Sequence, residues 1–417
     1  MLSAVVVRER DAEGGRGLRG LVDPGHGPGG TEADATEPSG PRQEMEDLVM
    51  VVSQVDVRYP SRARSSLPVD ADLMGDKMPL GLRNPNNVTK KFPVVNGQDG
   101  STVVMEPGGL HRWRIVNTVM DGYLRLHVRH ANGEDRGDGK DSVEAPCRIA
   151  EVAADGVPYR SKRVFGRGKQ VVIPPGSRRD LLVQCAADAE VHSGPSSRAS
   201  EDDVEKFMGN DTAVATGLLF NVNVEGKDNG EIDPTGTLFD LFDSYESRPT
   251  ASGLAYPPEP MADLRNATVL EENRRTIRYT QAGPSTPREH RADGNVHPFL
   301  GFDGKLFAKH EPLVVPRDKV VELTVVNDIC MDGTPAYESH PIHIHTNHFQ
   351  VVGVSSPLGT GYSTDFQLGD WRDTVAVPAP GSVTLRFVAR DFGGDTLLHC
   401  HTLVHEDVGM QMLVRIV

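Results

Sequence analysis

From residue 47 onward the chain is written in short β-branched runs divided by turn signals. DLVMVVSQVDVRYP, KFPVVNGQDG, STVVMEPGGLHRWRIVN, YLRLHV, CRIAEVAADGVPY, KQVVIPPGSRRDLLVQC and ATGLLFNVNVEG are strand-length pieces at the spacing of a β-sandwich. They predict one sandwich over 46–228, with the polar stretches 131–146 and 186–212 as surface insertions. Residues 229–272 are acidic and proline-bearing, have no clear period, and read as a linker. A second series follows in RTIRYTQ, FLGFDGKLF, PLVVPRDKVVELTVVND, HPIHIHTNHFQVVGV, WRDTVAVPAPGSVTLRFVAR, DTLLHCH and MQMLVRIV, and predicts a second sandwich over 273–417. No helix of ordinary length is called for; EDDVEKFM, 201–208, reads as a short surface turn. Residues 1–45 are rich in glycine, proline and acid and read as a flexible segment.

Composition adds turns and removes some partners. Forty-three glycines and thirty prolines in 417 residues fit a turn-rich, all-β chain. A net charge of -15 argues against nucleic acid as a partner. No apolar run approaches the roughly 18 residues of a membrane span, and the start, MLSAVVVRERDAEGG, is not a signal peptide, because charges follow its short apolar run at once. Of the four cysteines, Cys400 sits among histidines. Cys147, Cys185 and Cys330 read by default as small buried hydrophobes, with one disulfide among them left open and the redox compartment with it.

The histidines carry the chemistry. Seven of the fifteen fall in the windows 340–348 and 399–405, a density that chance does not explain. Side chains alternate faces along a strand. In HPIHIH, His343 and His345 therefore share a face and His340 takes the other. In HCH, His399 and His401 share a face and Cys400 takes the other. A loop folding back after His401 brings His405 and Met410 to the Cys400 side. One thiolate, two imidazoles and a thioether describe a blue-copper electron-transfer centre. Zinc is the rival, but zinc calls for neither Met410 nor a histidine pair on the opposite face. The other face offers His343, His345, His399 and His401, four imidazoles suited to copper or zinc. Cys400 lies between His399 and His401, so a short covalent path joins the two sites. His127 and His130, three apart in LHVRH, fall on opposite faces of a strand and read as structural. His348 reads as polar surface or as support to a ligand, and Asp373 as a strand-end salt bridge or a partner for a ligating histidine.

HPIHIH, WRDTVAVP and HCHTLVHEDVGM together resemble the C-terminal cupredoxin domain of the multicopper oxidases, with every ligand position of that family's HPxHxH and HCHxxxHxxxxM pattern filled. The details are most similar to bacterial laccases, cuprous oxidases and bilirubin oxidases. The resemblance implies two cupredoxin-like (plastocyanin-like) Greek-key β-sandwiches. It implies copper as cofactor, with His340, Cys400, His405 and Met410 as type 1 ligands, His343 as a type 2 ligand, and His345, His399 and His401 as type 3 ligands. It further implies a copper-dependent oxidoreductase of laccase type. A phenolic or metal-ion donor would give electrons one at a time through an exposed His405 and Cys400, O2 would be reduced to water at a trinuclear cluster, and Glu406 would help to deliver protons. Secretion or a periplasmic location is expected on the same ground. VVNGQ, VMEPGGLHRWRIVN, AADGVPY and IPPGSRRDLLVQ resemble the family's second domain, which normally binds no copper.

The departure from the family is the missing half of the cluster. Four further cluster histidines come from the family's first domain as two His-x-His pairs, and this sequence has only the pairs 343/345 and 399/401. GLRGLVDP, 17–24, resembles the last strand of that first domain. The expectation is an oxidase lacking most of domain one, with 1–45 as its remnant, or one whose missing pairs come from a partner chain. The alternative is a copper-binding electron-transfer protein, or an inactive fragment, with a type 1 copper only.

Overall fold

The computed structural model describes residues 46–60, 87–106, 108–131, 145–165, 170–194, 201–209, 213–226, 261–282, 299–305, 307, 310–328, 330–331, 334–335 and 338–417. GLRGLVDP and the rest of 1–45, most of the 131–146 insertion, most of 229–272 and the side chain of Cys330 lie outside the described residues.

Residues 46–224 make two sheets. The larger runs, in order of neighbours, Asn87–Val95, Glu46–Pro60, His111–Asn117, Arg178–Cys185, Cys147–Ala154 and Val157–Val164; the smaller runs Ser101–Met105, Gly217–Val224, Ala189–Ser193, Leu124–His130 and Val171–Ile173. Residues 274–416 do the same with Phe299–Phe302, Arg274–Ala282, Val320–Asn327, Gly381–Val388, Phe349–Ser356 and Gly359–Thr360 against Leu313–Val315, Gln411–Ile416, Gly394–Cys400, His340–Ile344 and Thr374–Val377. Set aside the small hairpin Cys330–Met331/Thr334–Pro335 and the two-residue strand Trp371–Arg372. Counted from each sandwich's own start, both larger sheets then read 2-1-4-9-6-7 and both smaller sheets 3-11-10-5-8. One topology is used twice.

Burial follows the alternation that predicted the strands. His111–Asn117 and Val320–Asn327 bury every second side chain, which places Trp113, Ile115, Val321, Leu323 and Val325 between the sheets. Trp113 meets Phe220 edge-on at 5.1 Å in the first core.

Three parts depart from the sequence reading. The supposed surface turn is a helix, Glu201–Met208, whose Val204, Phe207 and Met208 are buried in the core of the second sandwich. Its apolar residues recur at i, i+3 and i+4, the stripe of a half-buried helix; eight residues were too few for that period to stand out. The 186–212 "insertion" contains Ala189–Ser193, an interior strand with alternating burial. Cys147 and Cys185 form a disulfide between paired strands rather than standing as two buried thiols. They lie 38 residues apart, and only the sheet register makes them neighbours.

The sandwiches meet across a buried charged seam. Arg372, wholly buried, donates from Nε to Asp155 Oδ2 at 2.6 Å and from Nη2 to Asp365 Oδ1 at 3.2 Å. Asp365 also takes a bond from Arg179 of the first sandwich. Burial alone would raise the Asp155 carboxyl, but Arg372, Arg178 and Arg179 outweigh it and hold the group well below the usual carboxylate range.

Candidate metal centre

Two neighbouring strands, His340–Ile344 and Gly394–Cys400, place the candidate ligands. They pair antiparallel, with Ile342 opposite Cys400 and His343 opposite His399. Since opposed residues point the same way, Cys400 faces the core with Ile342 and His340. The imidazoles of His343 and His399 face outward. The chain then leaves the sheet through buried Thr402 into a short helix, Leu403–Val408. Gly409, at φ 129°, ends that helix and donates its N–H to the carbonyls of His405 and Glu406. The reversal returns Met410 beneath Cys400: Met410 N–H donates to His405 O at 2.9 Å, and Cys400 N–H donates to Met410 O at 3.0 Å.

On the inner side, His340 Nδ1 lies 3.1 Å from His405 Nδ1, and Cys400 Sγ is 3.7 and 3.8 Å from those same nitrogens. Cys400, His340 and Met410 are fully buried and His405 is 5% exposed. The sequence reading had His405 exposed; the helix that carries it instead folds its ring under the surface, with Nε2 3.5 Å from Glu338 Oε1. Burial pushes the Cys400 thiol up and His405 down to about 4, and lowers His340 with help from His405. Without metal all three groups are therefore neutral at pH 7. Among the described residues the site has no cation of its own to hold a thiolate. A soft, thiophilic metal cation supplies that charge, and the convergent S, N, N donor set fits copper.

On the outer side, ligand nitrogens of His343, His345 and His399 lie within 4.8 Å of one another. His343 Nδ1 donates to the carbonyl of Asp373 at 2.9 Å, and His399 Nδ1 donates to the carbonyl of Cys400 at 3.0 Å. A carbonyl only accepts, so both rings carry their lone pair on Nε2. His399 Nε2 faces His345 Nε2 at 3.0 Å. Imidazole nitrogens converging in this way fit a metal site. Burial lowers His343 to about 4 and also lowers His345 and His401, so these three rings are neutral and able to ligate at pH 7. His401 stands beside the group, its ring 5.3 Å from those of His343 and His399, but outside the trio that converges. Glu406 is partly exposed, with Oε2 3.2 Å from His399 Nδ1, and that hydrogen bond holds its carboxyl below the usual range.

Asp373 takes both roles proposed for it. Its carboxylate accepts two bonds from Arg178, at 2.9 and 2.6 Å, while its main-chain carbonyl backs His343. His348 lies outside the trio, donating from Nε2 to Asp155 O at 2.9 Å. His127 is paired opposite His192, their rings stacked 5.8 Å apart on the outer face of the first sandwich, remote in sequence from both clusters. Arg178 and Gly176 escaped the sequence reading. Both belong to IPPGSRR, whose proline and glycine signalled only a turn.

Residues 281–417 match the family model described as multicopper oxidase. A laccase of Oryza sativa subsp. japonica, Laccase-10, is 40% identical over 108 residues, 24% of this chain and 17% of that protein. Copper resistance protein A of Pseudomonas syringae pv. tomato is 32% identical over 134 residues, 32% of this chain and 19% of that protein. These matches thus span about a fifth of the curated relatives' length. Among solved structures, a multicopper oxidase from Campylobacter jejuni aligns with a TM-score of 0.55 at 16% identity, over 89% of this chain and 64% of its own. McoA from Aquifex aeolicus aligns with a TM-score of 0.54 at 17% identity, over 89% and 66%. At that identity the structural likeness speaks to fold, and the fold is that of cupredoxin-like sandwiches. The C-terminal third, residues 281–417, is a multicopper oxidase domain, of a family whose cofactor is copper.

Proposed function

We propose that the chain is the copper-bearing part of a laccase-type oxidase that takes single electrons from a phenolic or metal-ion donor and passes them to O2. One observation carries the reading: the same two strands present His340 and Cys400 on one face, where the following short helix adds His405, and a convergent imidazole trio on the other. Copper, when bound, supplies one-electron redox chemistry at the first site and dioxygen chemistry at the second. The protein's part is position. His340 and His405 offer Nδ1, Cys400 offers its sulfur, and Met410, fully buried, closes that side as the weak fourth ligand. Cys400 is bonded through its own backbone to His399 and His401, so the two sites are joined by a path within three residues. Glu406 holds the Nδ1 side of His399 and is placed to hand protons to the outer face from its partly exposed carboxyl. His405, 5% exposed where His340, Cys400 and Met410 are fully buried, would be the side chain through which the donor's electron enters. The Cys147–Cys185 disulfide favours an oxidising compartment, secreted or periplasmic. No helix among the described residues is long and apolar enough to cross a membrane.

A second reading is favoured by the histidine count, because the sequence supplies only the pairs 343/345 and 399/401 to the outer site. On this reading the chain is an electron-transfer protein with a type 1 copper alone. Copper loading of the purified chain separates the two. Close to four coppers with oxygen uptake supports the oxidase, whether the missing pairs come from a partner chain or from a further domain. One copper with blue colour and no uptake supports the carrier. A colourless protein after loading sinks both.

A further inference from the structure

The turn at 174–178 belongs to the first sandwich, which carries neither ligand cluster, yet it reaches the imidazole face of the second. A Cβ built on Gly176 would lie 2.3 Å from Cδ2 and Nε2 of His401 and 2.5 Å from Cε1. No side chain fits there without moving the ring. Gly176 also sits at φ 78°, a backbone region that favours glycine. Two residues on, Arg178 binds this turn to the metal face. Its Nη1 donates to Gly176 O at 3.0 Å and to Asp373 Oδ1 at 2.9 Å, and its Nη2 donates to Asp373 Oδ2 at 2.6 Å. Asp373 is the residue whose carbonyl receives His343 Nδ1–H, and its carboxylate also takes the Thr374 hydroxyl at 2.8 Å. Arg178 is in turn anchored by its own N–H to Asp155 Oδ1 at 2.9 Å, inside the buried seam.

We propose that the first sandwich is a working wall of the histidine site. Arg178 is its positioning residue, fixing Asp373 so that His343 keeps its proton on Nδ1 and its lone pair on Nε2, and Gly176 leaves room for the His401 ring. The inference deepens the metal-site reading of the outer face and rests on it. A bidentate guanidinium suits the task because it fixes the orientation of a carboxylate, which a lysine ammonium does not. Loss of such an outer partner typically lowers metal affinity by about 10–100-fold.

Two measurements on the full chain test it. The first needs no metal: nitrogen-15 spectra of histidine-labelled protein report the tautomer of each ring. His343 is expected as a single Nδ1–H form in the wild type and as a mixture of tautomers in Arg178→Ala and Arg178→Lys. The second is titration with Cu(II) alone, followed by electron paramagnetic resonance and by the blue thiolate absorption. Arg178→Ala and Gly176→Ala are expected to weaken the non-blue signal of the outer site at least about tenfold while leaving the blue site unchanged. A merely structural role would disturb both sites together or shift only the melting temperature. Unchanged His343 tautomer and unchanged outer-site affinity in both variants overturn the proposal while leaving the metal-site reading intact. A wild type that binds no copper at the outer face, with the blue site filled, overturns both.

Discussion

The two sandwiches share a strand order and even a register, and among the described residues only one of them presents a candidate metal nest. His127 stands opposite His192 in the first as His343 stands opposite His399 in the second. Counting outward from those pairs, Leu124 occupies the place of His340 and Ser193 that of Cys400, while Arg129 stands for His345 and Gly194 for His401. Leu124 and Ser193 complete an ordinary core. The outer histidines of the first sandwich pair with local groups instead: His192 with Glu190 at 2.8 Å, and Glu190 with Arg129 at 2.9 Å. The sheet framework therefore supplies only positions. A metal site arises when the inward positions carry thiol and imidazole and the outward ones carry imidazoles without carboxylate–guanidinium partners at the same spot.

The contrast can be broken most completely at Cys400. Cys400→Ser removes the thiolate, and the blue absorption of the copper-loaded chain is expected to vanish with one copper lost per chain; metal analysis and visible spectra check this. The seam between the sandwiches comes next. Arg372→Ala strands Asp155 and Asp365 in a buried setting, and urea denaturation should show a loss of about 3–5 kcal/mol. The third effect is one of pH. In the metal-free chain His343 and His405 titrate at about 4, below the roughly 6.5 of an unfolded histidine. The unfolded chain therefore binds more protons between those values. Stability contributed by these neutral rings is present above about pH 6.5 and falls as pH drops towards 4, by up to about 3 kcal/mol for each. Denaturation midpoints measured across that range without metal test the sign. The smallest effect belongs to the first sandwich's own histidines: His127→Ala with His192→Ala should leave copper count and blue colour unchanged, and a lost copper would overturn the contrast drawn between the sandwiches.

What was legible in the sequence was short-range. The parity of HPIHIH and HCH split the candidate ligands between two faces, and the strand pairing separates them in that way. The Asp373 roles were foreseen only as alternatives, since WRDTV does not say what lies across from it. The helix at 201–208 was missed because its apolar face covers the other sandwich, a contact that no local period announces. His405 was misread as exposed because its burial depends on how a six-residue helix folds back.

By itself, then, the sequence determined which side chains are candidates to bind metal and on which side of a strand each must lie, because alternation along an extended chain is fixed by backbone geometry. Only the tertiary structure decided which cysteines join, that His405 is covered, and that Gly176 and Arg178 stand against His401 and Asp373. The last two contacts link positions about 200 residues apart, 195 in the case of Arg178 and Asp373. They exist because two sandwiches dock through an apolar core and a buried charged seam, and the docking puts a turn of one sandwich against the metal face of the other.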